Sequence, residues 1–480
     1  MAVKRGTRQL INIWSLVQCY VQDHALVLGS ENTATLSGWI RSRSIIKLAT
    51  CSSLISLTLV RDPELIRTFL QIEAFFKKNG SIDAGFDTTQ VATDAFMAAE
   101  RICKISNRRL DYYLGTHPER LNVQIRDQIN RAREYIQNVL GPFEIFFKDL
   151  PRYIRISSGA TALNKKAYSA ANRRLKRSAS TTGDCWPYAD ALYSFCLPNS
   201  SKGFKGRIVQ GNRILFVYKS FKTKRTIACE PEANSAFQLA FDCFAKARLA
   251  RKGQDLACQE RNQHAALIGS QTGEISTEDF RQASDTVCKN AVAGLFDPSW
   301  YNFLVRIRSG FGILPSGQVI RYEKFSSMGN GSTFTIETLI FAACAYAVGS
   351  KTFNVYGDDV TIETDLSEAF RRLTRFLGFT INIEKSYNTG YYRESCGKHY
   401  VSGHDVTPFF LRSLKWHSPN LCHMINGLTA RCSVNSQVFQ FLRKILRETQ
   451  SSRSPLPVVP VVEDTCKGIC TTVPYAEELA

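Results

Sequence analysis

The chain has 480 residues, 44% of them hydrophobic and 21% charged, a composition that excludes disordered, collagen-like, coiled-coil and low-complexity proteins and allows two or three subdomains. Its longest apolar runs, such as Thr338–Val348, fall well short of the roughly 20 residues a membrane helix needs, so no membrane partner is expected. Lys and Arg outnumber Asp and Glu by 61 to 42, a net +19 that calls for a polyanionic partner.

At the N-terminus Lys4, Arg5 and Arg8 precede an apolar stretch that Asn12, Ser15 and Gln18 interrupt, so no signal peptide is expected. Fifteen cysteines scattered singly read as reduced thiols in a cytosolic setting. Cys466 and Cys470, with no second pair nearby, read as buried thiols rather than a zinc site. Residues 1–75 mix strand-like pieces, ALVLGS (25–30) and SLISLTLV (53–60), with a helical pattern that starts at Pro63. From Thr88 to Leu140 apolar residues recur every three or four positions, predicting scaffold helices that stop at Gly115 and at Gly141-Pro142.

Most of that net excess then falls in one block. Between Leu150 and Cys229 sixteen basic residues face only Asp184 and Asp190. They are Arg152, Arg155, Lys165, Lys166, Arg173, Arg174, Lys176, Arg177, Lys202, Lys205, Arg207, Arg213, Lys219, Lys222, Lys224 and Arg225. Tyr153, Tyr168, Phe204, Phe216, Tyr218 and Phe221 are interleaved with glycines among them. Rings among cations suit base stacking, and glycines let the backbone approach phosphate, so the block predicts nucleic-acid contact. A helix near Asn234–Leu249 follows, then alternating strands and helices to about Ser413. The tail from 451 holds three prolines in six residues and predicts extended chain.

Thr352–Thr364 (TFNVYGDDVTIET) reads as two short strands with Gly357-Asp358-Asp359 at the turn. Adjacent carboxylates ~4 Å apart repel by about 4 kcal/mol at an effective dielectric of 20. A divalent cation offsets that cost, and oxygen-only ligands favour Mg2+ or Mn2+. A plain Asp-rich turn is the bland alternative. The best partner lies upstream, where Ile275 and Thr277 lead as a strand into Asp279, with Ser284 and Asp285 at the start of the next helix, within reach of a sugar hydroxyl. Between the acidic sites lies FSSMGNGSTFTIET, where Ser327, Gly329, Asn330 and Gly331 precede an apolar helix and can bring main chain and hydrogen-bonding groups close to a nucleotide.

The order of a basic KSFKTKRTIACEP, an acidic strand end, a glycine loop, a GDD hairpin and a Lys in GFTINIEKS resembles the motif series of right-hand RNA-dependent RNA polymerases. More narrowly, SSMGNGSTFTIETLIFA, VYGDD and RESCGKHYVSGHDVTPFFLR resemble the replicase β subunit of single-stranded RNA bacteriophages, the levivirus group that includes Qβ, over about Asp87–Arg412. The resemblance implies an α+β fold of fingers, palm and thumb with an antiparallel palm sheet backed by helices. It implies an N-terminal extension over 1–75, fingers with a basic template and nucleotide channel over 76–270, a palm over 271–405 and a short thumb and tail over 406–480. Only 67 residues follow Ser413, implying a reduced thumb or a chain incomplete at its end.

By the same resemblance Asp279, Asp358 and Asp359 hold two Mg2+ ions, or Mn2+ in their place. Lys222 and Arg225, with Lys219 assisting, neutralise the triphosphate. Lys385 takes the place of a general acid, for which a lowered pKa is required. Ser327, Gly329, Asn330 and Gly331 check the nascent pair and its ribose, and 393–400 grips the product 3′ end. The implied partners are single-stranded RNA template and product, nucleoside triphosphates, host elongation factors Tu and Ts and a ribosomal protein, in the cytoplasm of the bacterial host. Reverse transcription, RNA binding without catalysis and metal-dependent nuclease action are the rival readings; Gly357 and the SSMGNG loop argue against the first, and the separate basic cradle against the last.

Overall fold

The computed structural model describes residues 10–157, 159–164, 179–196, 206–450, 455–459 and 468–470. The chain is α+β and forms two compact units.

One unit gathers Met1–Thr88, Tyr218–Lys224 and His404–Ala480. The helices Ile13–Asp23 and Pro63–Lys77 bury Leu16, Val17, Phe69, Ile72 and Phe75 in a core shared with Leu421, Ile425, Leu442 and Leu446 of the C-terminal helices Ser418–Thr429 and Gln437–Gln450. Residues at the two ends of the sequence thus fold together. Leu10 bridges to Lys415, and the Asp23 carboxylate accepts from the N–H groups of Gln437 and Val438 at 2.7 and 2.9 Å, capping the last helix from outside it. The segments 25–30 and 53–60 are not strands. The first lies in the helix Ala25–Arg41, which Gly29 interrupts at φ 76° and whose Leu28, Leu36 and Ile40 enter the core. The second runs through a short 3-10 turn, Cys51–Leu54, into further turns. Ala and Leu favour helix, and a short apolar run carries no periodicity that separates the two states.

The other unit comprises Thr89–Val217 and Arg225–Gly403. The predicted scaffold helices are Thr88–Leu110 and Val123–Leu140, the latter ended by Gly141 at φ 69°. At its centre stands a three-stranded antiparallel sheet: Asp359–Glu363 lies between Ile275–Glu278 and Asn354–Tyr356. The helix Thr333–Ala347 backs the sheet and is buried nearly all round, as its almost uninterrupted apolar sequence requires. Phe341 of that helix stacks on Phe280 at 4.1 Å, fixing the helix to the chain just beyond Asp279. A second hairpin, Tyr392–Ser395 with Lys398–Val401, is tied to the sheet by Arg393, whose buried guanidinium donates from Nε to the Ile275 carbonyl at 2.6 Å.

Among the described residues no helix is long and apolar enough to cross a membrane, and the cysteines are free. Cys470 is buried; Cys466 lies outside the described residues.

Candidate active site

The aspartate hairpin is shaped by its glycine. Tyr356 pairs with Asp359, which leaves Gly357 and Asp358 as a two-residue turn. Gly357 sits at φ 63°, and a Cβ there would stand 2.3 Å from Phe334 Cε2 and 3.1 Å from Glu337 Oε1. Only glycine meets both demands. The Gly357 N–H donates to Thr338 Oγ1 at 3.1 Å, and Asn262 Nδ2 donates to the Asp359 carbonyl at 2.9 Å, so two upstream helices, Thr333–Ala347 and Glu260–Thr272, hold the turn.

Asp279 directly follows the strand Ile275–Glu278. Glu278 pairs with Val360, so one step further the antiparallel register sets Asp279 opposite Asp359, on a neighbouring strand about 5 Å away. The chain around Ile381–Tyr387 clamps it. Asn382 Nδ2 donates to Asp279 Oδ2 at 2.6 Å, the Asp279 N–H donates to Ser386 Oγ at 3.0 Å, and Thr277 and Tyr387 exchange main-chain bonds at 2.8 and 3.0 Å.

The three aspartates interact electrically. Asp279 is raised to about 6 and Asp359 to about 7, each by burial first; the Asp358 charge contributes to both, while Lys385 and Asn382 oppose the rise at Asp279. Behind them the fully buried Glu337 is held well above the carboxylate range, by burial first and by Asp358 second, while it accepts from Ser284 Oγ at 2.7 Å. Among the described residues no three His, Cys, Asp or Glu side chains stand in a spacing that would hold a metal ion outright. The donor chemistry nevertheless fits a hard divalent cation: the three carboxylates offer oxygen alone, and burial disfavours the anionic form of Asp279 and Asp359, a cost that positive charge would offset.

The other predicted residues are distributed as follows. Asp285 lies in the short helix Ala283–Thr286 and accepts from Lys324 Nζ at 2.9 Å. The SSMGNG loop packs on the strand Lys224–Cys229, where the Ala228 N–H donates to the Met328 carbonyl at 2.8 Å. Gly329, at φ 107°, permits that approach, since a Cβ would lie 2.3 Å from the Ala228 carbonyl oxygen. The Gly331 N–H donates to Gln238 at 3.1 Å, and Asn330 Oδ1 accepts from the Ser332 N–H and hydroxyl; Ser327 is buried and its carbonyl accepts from Asn330 and Thr333. Arg225 is exposed on its strand. Lys219 and Lys222 belong to the other compact unit, in the loop closed by the Ser220 N–H donating to the Thr223 carbonyl.

Lys385 is raised in pKa, first by Glu394, whose Oε1 is 3.6 Å from Nζ, and then by Asp279 and Asp359. The shift runs opposite to the lowering that a general acid requires. Within the basic block Arg213 is structural, donating to the Thr161 and Ala162 carbonyls, whereas Lys165, Lys166, Arg173, Arg174, Lys176, Arg177, Lys202 and Lys205 lie outside the described residues.

Sequence reasoning passed over Asn382, Ser386, Glu337 and Asn262, and took Glu394 only as part of the 393–400 stretch, not as the partner of Lys385. Glu394 lies in the RESCG stretch, and a polar residue two or three positions from a site lysine (Asn382) was the available signal; the others are fixed by packing alone.

This constellation sits inside a recognised sequence pattern: the family described as RNA replicase, beta-chain, matches residues 46–436. The chain belongs to the RNA replicase β-chain family. Among its relatives, the RNA-directed RNA polymerase subunit beta of Escherichia virus Qbeta is 35% identical over 397 residues, which cover 79% of this chain and 66% of that one. The corresponding subunit of Qbeta virus strain MX1 is 36% identical, covering 73% of this chain and 60% of its own. The RNA-directed RNA polymerase beta chain of Escherichia phage MS2 is 33% identical over 53% of this chain and 49% of its own. This replicase β-chain thus spans about two thirds of the length of those relatives, or less. Among solved structures, the BmCPV RNA-dependent RNA polymerase at elongation state aligns with a TM-score of 0.40 at 12% identity, over 71% of this chain and 32% of that one.

Proposed function

We propose that the chain is an RNA-directed RNA polymerase that copies a single-stranded RNA phage genome in the cytoplasm of a bacterial host. The observation that carries this reading is the pairing of Ile275–Glu278 with Asp359–Glu363, which brings Asp279 beside the Gly357-Asp358-Asp359 turn in a chain of the replicase β-chain family. Residues 271–405 are the palm, 76–270 the fingers and 406–480 the thumb and tail, the last sharing its core with the N-terminal extension.

Asp279, Asp358 and Asp359 would hold two Mg2+ ions, or Mn2+. Those ions would supply activation of the attacking 3′-hydroxyl and neutralisation of the pyrophosphate leaving group. The protein's own part is positional. Gly357 fixes the angle between the two hairpin carboxylates, Asn382 and Ser386 fix Asp279, and Arg225, Lys222 and Lys219 offer cationic charge to the triphosphate. Asp285 and Asn330 offer an acceptor and a donor to the ribose and nascent pair. Lys385 holds a proton close to Asp279 and Asp359, and its delivery to the leaving group requires that charge on the carboxylates first be neutralised. Host elongation factors Tu and Ts and a ribosomal protein are the proposed partners.

Primer-extension on an RNA template, with ribo- and deoxyribonucleotides in parallel, tests the reading. Ribonucleotide incorporation is expected; preferential incorporation of deoxynucleotides would assign the chain to reverse transcription instead.

A further inference from the structure

One buried charge takes no part in the chemistry above. Lys324 has no exposed surface, yet its ammonium must be satisfied, and two helices, Thr88–Leu110 and Ala283–Thr286, converge to do so. Nζ lies 2.9 Å from Asp285 Oδ1 and 3.5 Å from Glu100 Oε1, and 3.6 Å from the centre of the Phe96 ring. Glu100 is itself fixed, its Oε2 accepting the Glu323 N–H at 2.6 Å. A buried cation between two carboxylates and over a ring is costly to assemble and seldom adds net stability, so its retention asks for a use.

The placement supplies one. Lys324 stands two residues before Ser326, where the SSMGNG loop begins, and it grips Asp285, six residues beyond Asp279. It therefore ties the residue offered to the ribose to the loop that meets the nascent pair. Its grip on Oδ1 also settles the orientation of the Asp285 carboxylate, which can accept further hydrogen bonds. Without the ammonium, Asp285 and Glu100 would be left as two buried carboxylates, and Asp285 would lose the bond that aims it.

We infer that Lys324 is a positioning residue for sugar selection, aiming the Asp285 carboxylate at the ribose 2′-hydroxyl of the incoming nucleotide. The inference rests on the polymerase reading of the same site and adds the residue that sets its substrate discrimination.

The test is the ratio of kcat/KM for a ribonucleotide to that for its 2′-deoxy analogue, measured on the full chain. In Lys324→Met the ratio is expected to fall about 10- to 100-fold, the worth of one hydrogen bond to a charged group. Asp285→Asn should lower it similarly, and the double variant no further, because both changes remove the same interaction. Should Lys324→Met not fold, Lys324→Met with Glu100→Gln, which leaves one buried carboxylate instead of two, is compared with Glu100→Gln alone. Equal losses for both nucleotides, or additive effects in the double variant, would overturn the inference while the polymerase reading stands. A wild-type chain that incorporates neither nucleotide would refute both.

Discussion

Replacing Gly357 by alanine tests how the site is built. At φ 63° an L-residue with a side chain is strained by about 1–2 kcal/mol. The new methyl would also lie 2.3 and 2.9 Å from two ring carbons of Phe334 and 3.1 Å from Glu337 Oε1. Phe334 is only half-buried and its ring can turn aside, whereas Glu337 is fully enclosed, so overpacking adds about 1–3 kcal/mol. The sum, about 2–5 kcal/mol, should appear as a fall of roughly 4–10 °C in the melting of the unit that carries the site. The turn holds two of the three carboxylates, and a displacement of about 1 Å there should lower the incorporation rate about 100-fold. Differential scanning calorimetry and single-nucleotide incorporation read the two effects. Adding Phe334→Ala makes room for the methyl without relieving φ, so it should recover part of the melting temperature and little of the rate. An alanine variant that melts and incorporates like the wild type would refute the claim that the turn geometry requires glycine.

Other outcomes follow from individual contacts. Lys222→Ala and Arg225→Ala should each raise the KM for nucleotide several-fold while leaving RNA affinity nearly intact, as filter binding would report; an effect confined to RNA affinity would contradict their placement at the triphosphate. RNA affinity itself should fall steeply with salt, since phosphate contacts release counterions. Burial alone would push Glu363 up, but bonds from Ser350, Lys351 and Thr352 outweigh it and hold the carboxyl down at about 2. Its stabilisation is therefore present above the ordinary value of 4.5 and is lost as pH falls from there toward 2. Melting curves between those limits should show the wild type losing stability more steeply than Glu363→Gln. Asp23→Ala removes the two bonds that cap the last helix and should cost about 1 kcal/mol, visible as lower thermal stability of the helices it joins.

Much of the site is legible in the sequence because its determinants are local. Gly-Asp-Asp between two runs of β-formers specifies a hairpin, and the turn observed has the glycine at positive φ with the acids beside it. Asp279 could be set at a strand end because Ile275 and Thr277 alternate before it. The partner of that strand is a matter of register, settled by pairings 82 to 88 residues apart in sequence such as Glu278 with Val360 and Ile275 with Glu363, which no local pattern encodes. The same limit explains why Glu337 and the pairing of Glu394 with Lys385 went unnoticed: each is defined by what packs around it. It also explains the shared core of the two chain ends, where Leu10 meets Lys415. The segments 25–30 and 53–60 were misread for a different reason, since short runs of Leu, Ala and Val suit either state until burial decides.

The central claim is that Asp279, Asp358 and Asp359 act together on divalent metal. Its most direct test is template-directed incorporation of labelled ribonucleotides by the purified chain, with Mg2+, with chelator, and with Asp358→Ala. The account predicts incorporation in the first case and its loss in the other two. Undiminished synthesis in chelator, or by the alanine variant, would contradict it.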